Sequence, residues 1–112
     1  AGAFPTWLAP VQVRILPISD KHAEYALKVQ DLLKEQDIRV EIDERREKIN
    51  YKIREAQTEK IPFALIVGDK ETEEKTVAVR RYGQQNTSTM PLNDFAALIR
   101  EEIQSKRTGL EG

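Results

Sequence analysis

The sequence predicts an α/β fold in which a mixed, mostly parallel sheet of about five strands packs with three helices. Segments of strand length alternate apolar and polar residues, and the stretches between them place apolar residues at helical spacing. One segment, residues 63–67, is apolar throughout, which is typical of a central strand covered on both faces. The order β-α-β-α-β-β-(β)-α requires parallel pairing of the first three strands through right-handed crossovers, with an antiparallel hairpin at one edge.

The first part of the chain predicts a lead-in, a strand and a helix. Residues 4–10, rich in aromatic residues and proline, are expected to be irregular, and residues 11–15 alternate as a strand that Pro17 ends. Ser19 or Asp20 can cap the helix that follows. This helix should run to about residue 36, with its apolar stripe at Tyr25, Ala26, Val29, Leu32 and Leu33.

Residues 38–42 alternate clearly and predict the second strand, and a charged second helix follows it. Tyr51 and Arg54 should point away from the sheet, whereas Lys48 and Lys52 should flank the buried side of this helix. That buried side is an apolar stripe formed by Ile49, Ile53 and Ala56.

The second half predicts the rest of the sheet and a last helix. Residues 63–67 should be the middle strand, residues 69–75 a charged turn, and residues 76–82 the hairpin partner, with a short edge strand at residues 87–89. Pro91 then begins a helix that should fray from residue 105 onward. Its stripe is Leu92, Phe95, Ala96, Ile99 and Ile103.

Composition limits the class of protein. The 112 residues fit a single domain, residues 1–112, of which residues 1–3 and 108–112 are expected to be appended ends. No apolar run reaches the length of a membrane span, no secretory signal is visible, and the absence of cysteine suits a reducing cytoplasm. A net charge of −1 argues against DNA binding, so any nucleic-acid surface must be local.

Motifs for catalysis and cofactor binding are missing. The sequence contains neither G-x-G-x-x-G nor G-x-x-x-x-G-K-[ST], and its single histidine, His22, has no partner for a zinc site and is best explained by packing or exposure. No serine has a recognisable histidine and carboxylate arrangement. The chain alone is therefore not expected to be an enzyme.

Charged residues follow the first three predicted strands, at residues 17–20, 43–48 and 68–71, where ligands of parallel sheets usually bind. Glu71 can accept a hydrogen bond from a base, Arg80 can donate to a base or a phosphate, and Tyr51 and Tyr82 can stack on unpaired bases. Each feature also has a simpler explanation, since a charged helix face is commonly only solvated, residues 68–71 can be a strand-ending turn, and Arg80 can be an exposed strand residue.

A resemblance favours the functional interpretation. The chain closely resembles the C-terminal anticodon-binding domains of bacterial threonyl-tRNA synthetases, within the family of anticodon-binding domains of class II synthetases, over residues 4–103. The segments that carry the resemblance are FPTWLAPVQV (4–13), RREKINYKIRE (45–55), KIPF (60–63), VGDKE (67–71) and VR (79–80).

The resemblance implies a function in tRNA recognition. Such a domain holds the anticodon loop of threonine tRNA, while a separate catalytic domain of a homodimeric enzyme joins threonine to the tRNA with ATP and zinc, so no cofactor is expected here. By position, Glu71 and Arg80 match residues that recognise a base, and Lys60 matches a basic contact to the loop. Arg46 stands where the family usually has asparagine, and Asn50 where glycine is usual. A guanidinium at Arg46 is expected either to replace a specific base contact by a phosphate contact or to reflect a redesigned sequence.

The expected RNA-binding set is thus Glu71, Arg80, Arg46, Lys60, Lys48 and Arg54. Two other hypotheses remain open. One is an excised or redesigned scaffold or protein-interaction domain of the same fold with weak RNA binding. The other is a small-molecule enzyme, which only the carboxylate-rich strand ends support.

Overall fold

A five-stranded sheet with helices on both faces forms the fold, in the computed structural model that describes the backbone of residues 5–111 and the side chains of residues 5–105. The strands are β1 (Val13–Pro17), β2 (Val40–Ile42), β3 (Phe63–Val67), β4 (Thr76–Arg81) and β5 (Thr87–Pro91). The α-helices are α1 (Ala23–Glu35), α2 (Ile49–Thr58), α3 (Asp69–Glu74) and α4 (Leu92–Glu111), and two 3₁₀ turns cover Thr6–Leu8 and Asp20–His22. The expectation of appended ends at residues 1–3 and 112 lies outside the described residues.

The strand order is β2-β1-β3-β4-β5. Strand β1 pairs in parallel with β2 and β3, whereas β4 is antiparallel to both β3 and β5. The predicted α/β class with a mixed sheet is confirmed, and β3 is the middle strand as expected. Parallel pairing needs long crossovers, which α1 and α2 supply.

The two sheet faces are covered unequally. Helices α1 and α4 pack on one face over the larger core, where the rings of Phe63 and Phe95 meet edge to face with centroids 5.4 Å apart. Helix α2 packs on the other face over a smaller cluster, formed by Leu16, Ala56, Ile61 and Ala64. Side chains alternate between faces along a strand, so the register assigns Ala78 and Arg80 of β4 to the face of α2.

The lead-in is more ordered than predicted. Instead of irregular backbone, Thr6–Leu8 forms a 3₁₀ turn. The buried amide of Gln12 holds it in place, because its Nε2 donates to the Thr6 carbonyl at 2.9 Å and its Oε1 accepts from the Arg39 amide at 2.8 Å. The hydroxyl of Thr6 also donates to Glu102 of α4 at 2.6 Å, which ties the lead-in to the last helix.

Residues 69–75, predicted to be a turn, contain the short helix α3, so the chain has four α-helices in its described part rather than three. Glu71 explains the difference: its Oε1 accepts from the Gly68 amide at 2.7 Å, and the Thr72 hydroxyl donates to the Gly68 carbonyl at 2.8 Å. These bonds satisfy polar groups at the start of the helix. The high charge of the segment concealed this helical signal.

Other element boundaries also differ from the prediction. Strand β2 begins at Val40 rather than residue 38, because the Ile38 amide donates back to Leu33 at 3.1 Å and closes α1 through Asp37, whose φ is 62°. Strand β1 begins at Val13, β5 extends to Pro91, and α4 continues to Glu111 instead of fraying from residue 105. None of the helices over the described residues is long and apolar enough to span a membrane.

Tyr25 provides a test of the packing between α1 and the sheet. Its hydroxyl donates to the Thr76 carbonyl at 2.7 Å, and burial, with the nearby charge of Glu71, raises the pKa of Tyr25 to about 12. The unfolded chain loses this proton near pH 10, so stability from the neutral phenol is complete below pH 10 and is lost as the pH rises toward 12.

We therefore expect Tyr25→Phe to lower stability near neutral pH by about 1 kcal/mol and to flatten the decline of stability above pH 10. Urea unfolding at pH 8 and pH 11 measures both effects. Tyr51→Phe, at an exposed side chain, is the control and should change the alkaline decline less. An alkaline decline in Tyr25→Phe as steep as in the parent chain would contradict this assignment.

Candidate nucleic-acid interface

A cleft of about 490 Å³ opens at the carboxyl ends of β1 and β2. Of the segments predicted at this edge, residues 17–20 and 43–47 line it and Lys48 does not; Leu27 and Lys52 complete its wall. Residues 68–71 do not line it. The structure therefore brings together two of the three segments that the sequence placed at this edge, and Glu71 lies outside the cleft.

Lys52 lines this cleft from α2. It was predicted to flank the buried side of the helix, but it is itself buried. It is only 4% exposed, and its Nζ donates to the carbonyls of Pro17 at 3.0 Å and Asp43 at 3.2 Å. This ammonium joins the ends of β1 and β2. Lys52 completes the helical spacing 49, 52, 53 and 56, so the sequence did contain a signal for its burial.

A network of ionic hydrogen bonds fixes the loop after β2. The guanidinium of Arg45 donates to both carboxylate oxygens of the buried Asp43, at 2.9 and 2.8 Å, and to Glu55 at 2.7 Å. The hydrogen bonds from Arg45 lower the pKa of Asp43 against the opposing effect of burial, and they lower the pKa of Glu55 together with the Tyr51 hydroxyl. Arg45 also lies over the Tyr51 ring at 5.6 Å. Arg45 and Tyr51 are thus bound to neighbours.

Arg14 of β1 is likewise bonded to carboxylates. Its guanidinium is nearly buried and donates to Glu41 at 2.5 Å and to both carboxylate oxygens of Glu59, at 2.7 and 3.1 Å. Burial alone would lower the pKa of Arg14, but the bonds to Glu59 and Glu41 outweigh burial and raise it. Arg14 is therefore structural.

The candidate cations of the cleft and of α2 differ in their surroundings. Arg46 lies on the cleft rim and pairs with Asp20 at 3.2 Å, with both side chains mostly exposed. Lys48 is exposed and occupies the N-cap position of α2 without a capping side chain. Arg54 is exposed further along the helix.

Lys60 closes the far end of α2. Its φ of 61° and the hydrogen bond from the Ile61 amide to Ala56 at 2.9 Å form a Schellman turn, in which glycine is the usual residue. Lys60 precedes β3, so it lies near the amino end of that strand, far from the cleft.

Glu71 is partly exposed but also forms a hydrogen bond within the protein. It is partly exposed at the start of α3 and accepts the Gly68 amide. Beside it, the buried imidazole of His22 lies 2.7 Å from Asp69 and accepts the Ser19 amide at 3.2 Å, which links the loop after β1 to α3. The hydrogen bond from His22 lowers the pKa of Asp69. His22 is a packing residue, in agreement with the simpler of its two explanations.

Arg80 lies on the sheet face that α2 covers only in part. It pairs across the sheet with Ala64 of β3 and Thr87 of β5, and Thr87 is exposed. Its Nε is buried and has no hydrogen-bond partner within the described residues. Within the described residues Arg80 also forms no ion pair with a carboxylate, whereas Arg14 and Arg45 do.

The candidate residues Glu71 and Arg80 therefore lie toward opposite ends of the sheet. Glu71 follows the carboxyl end of β3, while Arg80 lies opposite Ala64, near the amino end. Ala64 and Gly68 are four positions apart, which corresponds to about 13 Å of strand. Over the described residues, no group of three or more histidine, cysteine, aspartate or glutamate residues is placed to hold a metal ion. The geometry suits an extended polyanion better than a compact ligand.

Comparison with known proteins identifies similar domains. Residues 12–102 match the family model described as Anticodon binding domain. The chain is 58% identical over 110 residues to Threonine--tRNA ligase of Geobacillus kaustophilus and 59% identical over 106 residues to that of Caldanaerobacter subterraneus. These alignments include 97% and 95% of this chain. They include only 17% and 16% of the length of those relatives.

Solved structures show the same fold. The chain aligns with the RNA binding domain of threonyl-tRNA synthetase from Cryptosporidium parvum with a TM-score of 0.85 at 30% identity, over 90% of this chain and 26% of that one. Prolyl-tRNA synthetase from the same organism aligns with a TM-score of 0.80 at 24% identity, over 93% of this chain and 23% of that one, which shows the fold alone.

Lys48 is an unfavourable N-cap, because it offers no acceptor to the free amides of α2 and places a positive charge at the positive end of the helix. We expect Lys48→Ser to raise the free energy of unfolding by about 1 kcal/mol. Lys28→Ser, at an exposed position inside α1, is the control and should lower it by about 0.3 kcal/mol. Urea midpoints measure both, and equal effects of the two changes would contradict the capping argument.

Proposed function

The chain belongs to the Anticodon binding domain family, and from this membership and the surface described above we propose that it binds the anticodon loop of a tRNA. Arg80 is the observation that carries the proposal. Arg80 is only partly buried and, within the described residues, has no ion pair, so the outer nitrogens of its guanidinium can donate to an acceptor that a ligand supplies. A phosphate or a base edge is such an acceptor.

The distribution of charge supports RNA over other polyanions. The net charge is only −1, and many cations are already bonded to carboxylates, so general attraction to duplex DNA would be weak. Carboxylates and cations lie side by side on the binding side, which suits hydrogen bonds to the edges of unpaired bases. An anticodon loop presents such bases.

The relatives suggest the finer assignment. Because they are threonine-tRNA ligases, we propose threonine tRNA as the partner, with Glu71 and Arg80 reading bases and Arg46, Lys48, Arg54 and Lys60 contacting the loop backbone. In this proposal the chain contributes recognition only and needs no cofactor. Aminoacylation, ATP and zinc belong to the catalytic domain of a longer, homodimeric enzyme in the cytoplasm.

Arg80→Ala is the direct test. We expect it to weaken binding of a threonine anticodon hairpin about tenfold at fixed salt, and to lower the slope of log affinity against log salt by about 0.7 if the contact is to phosphate. Arg100→Ala is the matched control, because it removes the same charge from an exposed position on α4, on the opposite side of the sheet. Fluorescence anisotropy over a salt series measures both.

The possible results separate the hypotheses. Equal affinities for the two variants would remove Arg80 from the interface. Equal affinities for threonine and non-threonine hairpins would reject specific recognition. No binding at any salt concentration, together with self-association in light scattering, would instead favour the scaffold hypothesis.

Glu71 has two roles that substitution can separate. Glu71→Gln keeps an acceptor for the Gly68 amide, so the unfolding free energy should change by less than about 0.5 kcal/mol, whereas Glu71→Ala should lower it by about 1 kcal/mol. Both should weaken hairpin binding several-fold, because both remove the carboxylate acceptor for a base. Urea unfolding and anisotropy on the same preparations make the comparison. Full affinity in Glu71→Gln would show that Glu71 only caps α3.

A further inference from the structure

A second concave surface lies near the amino end of β3, away from the cleft. It is a groove of about 390 Å³ between the carboxyl-terminal half of α2 and the turn that follows β4. Its lining contains one cation, one aromatic ring and several amide side chains: Arg54, Gln57, Thr58, Tyr82, Gly83, Gln84 and Gln85. We call this surface the Tyr82 groove.

The backbone holds the Tyr82 groove in shape. The Tyr82 amide donates to the Pro62 carbonyl at 2.9 Å, which extends the pairing of β4 with the segment before β3. Gly83 then turns the chain with a φ of 83°, a conformation that favours glycine, and the Gln84 amide donates to Arg81 at 3.1 Å. The Tyr82 ring is therefore presented from a fixed position, with 38% of the residue exposed.

Tyr82 and Tyr51 are the exposed tyrosines of the described residues, and the structure distinguishes them. The Tyr51 hydroxyl donates to Glu55 at 2.7 Å, and its ring face carries Arg45. Within the part of the chain that the structure describes, Tyr82 has no hydrogen bond from its side chain and no ring contact, and Arg54 has no ion pair. The groove thus offers an available ring and an available guanidinium.

Arg80 lies close to the groove in the chain, although it does not line it. Tyr82 follows Arg80 by two positions, just past the end of β4, so their backbones are about 7 Å apart. A strand of RNA whose phosphate or base meets Arg80 has its neighbouring nucleotide within reach of Tyr82. The side-chain amides of Gln57, Gln84 and Gln85 each carry both donors and acceptors, as the polar edge of a base requires.

We propose that the Tyr82 groove binds one unpaired nucleobase of the RNA held by Arg80. The base stacks on the Tyr82 ring, glutamine amides meet its polar edge, and Arg54 contacts the adjoining phosphate. This inference rests on the proposed function and adds a subsite to it. An acidic peptide is the less suitable occupant, because the groove contains a single cation to bind its carboxylates.

Three substitutions test the subsite by anisotropy with the threonine anticodon hairpin. Tyr82→Ala should weaken binding about tenfold with an unchanged salt slope, since stacking involves no counterion, and Tyr82→Phe should retain at least half of the affinity. Arg54→Ala should weaken binding and lower the slope by about 0.7. Tyr51→Ala is the control at the other exposed tyrosine, whose ring Arg45 covers, and should change affinity less than twofold.

Amide NMR shifts of the parent chain separate this proposal from the proposed function. Titration with single ribonucleoside monophosphates should shift the amides of Gly83, Gln84 and Gln85 even if the hairpin does not bind. Hairpin binding with Tyr82→Ala at full affinity would overturn the subsite and leave the proposed function intact. Nucleotide shifts at the groove without hairpin binding would reject the proposed function and support the subsite. Shifts with an acidic peptide but not with nucleotides would overturn the subsite.

Discussion

Helix α2 covers only part of one sheet face, and this incomplete packing decides which side chains of the sheet are accessible. Helix α2 packs its short apolar stripe over β1 and β3, but β4 and β5 extend beyond it, so Arg80 and Thr87 lie on a flat face at its side. The opposite face is closed by α1 and α4 over a larger core. The larger core holds the sheet rigid, and the smaller cover leaves space for a partner. The face on which we propose recognition is therefore the one opposite the larger core.

Sequence periodicity predicted the elements of the fold well where one face of an element is buried. The strands and the stripes of α1 and α4 follow from alternation and helical spacing, and their errors are confined to the ends. Two misses concern polar residues with structural roles. Lys52 has the spacing of a buried residue but the charge of an exposed one, and only the converging carbonyls of Pro17 and Asp43 explain its burial. Glu71 caps α3 through a bond that a composition count does not reveal.

The candidate site was harder to predict because the number of cations in a sequence does not give the number available to a ligand. Arg14 and Arg45 occur in charged segments like the others, yet both are bonded to pairs of carboxylates, and Arg81 pairs with Glu102 beneath α4. Arg80 differs from its neighbour Arg81 only by alternation along β4. One position along the strand thus decides between a structural ion pair and an available guanidinium.

Several of the proposed binding residues occupy positions that are poor for stability. Lys48 caps a helix badly, Lys60 takes a left-handed conformation, and Arg80 buries an unsatisfied nitrogen. Left-handed backbone alone is not evidence of function, since Asp37 has the same conformation at the end of α1, away from this side of the sheet. What Lys48, Lys60 and Arg80 share is their position at the two ends of α2 and on β4. In the proposed function, an RNA strand supplies negative charge near Lys48 and an acceptor for the guanidinium of Arg80.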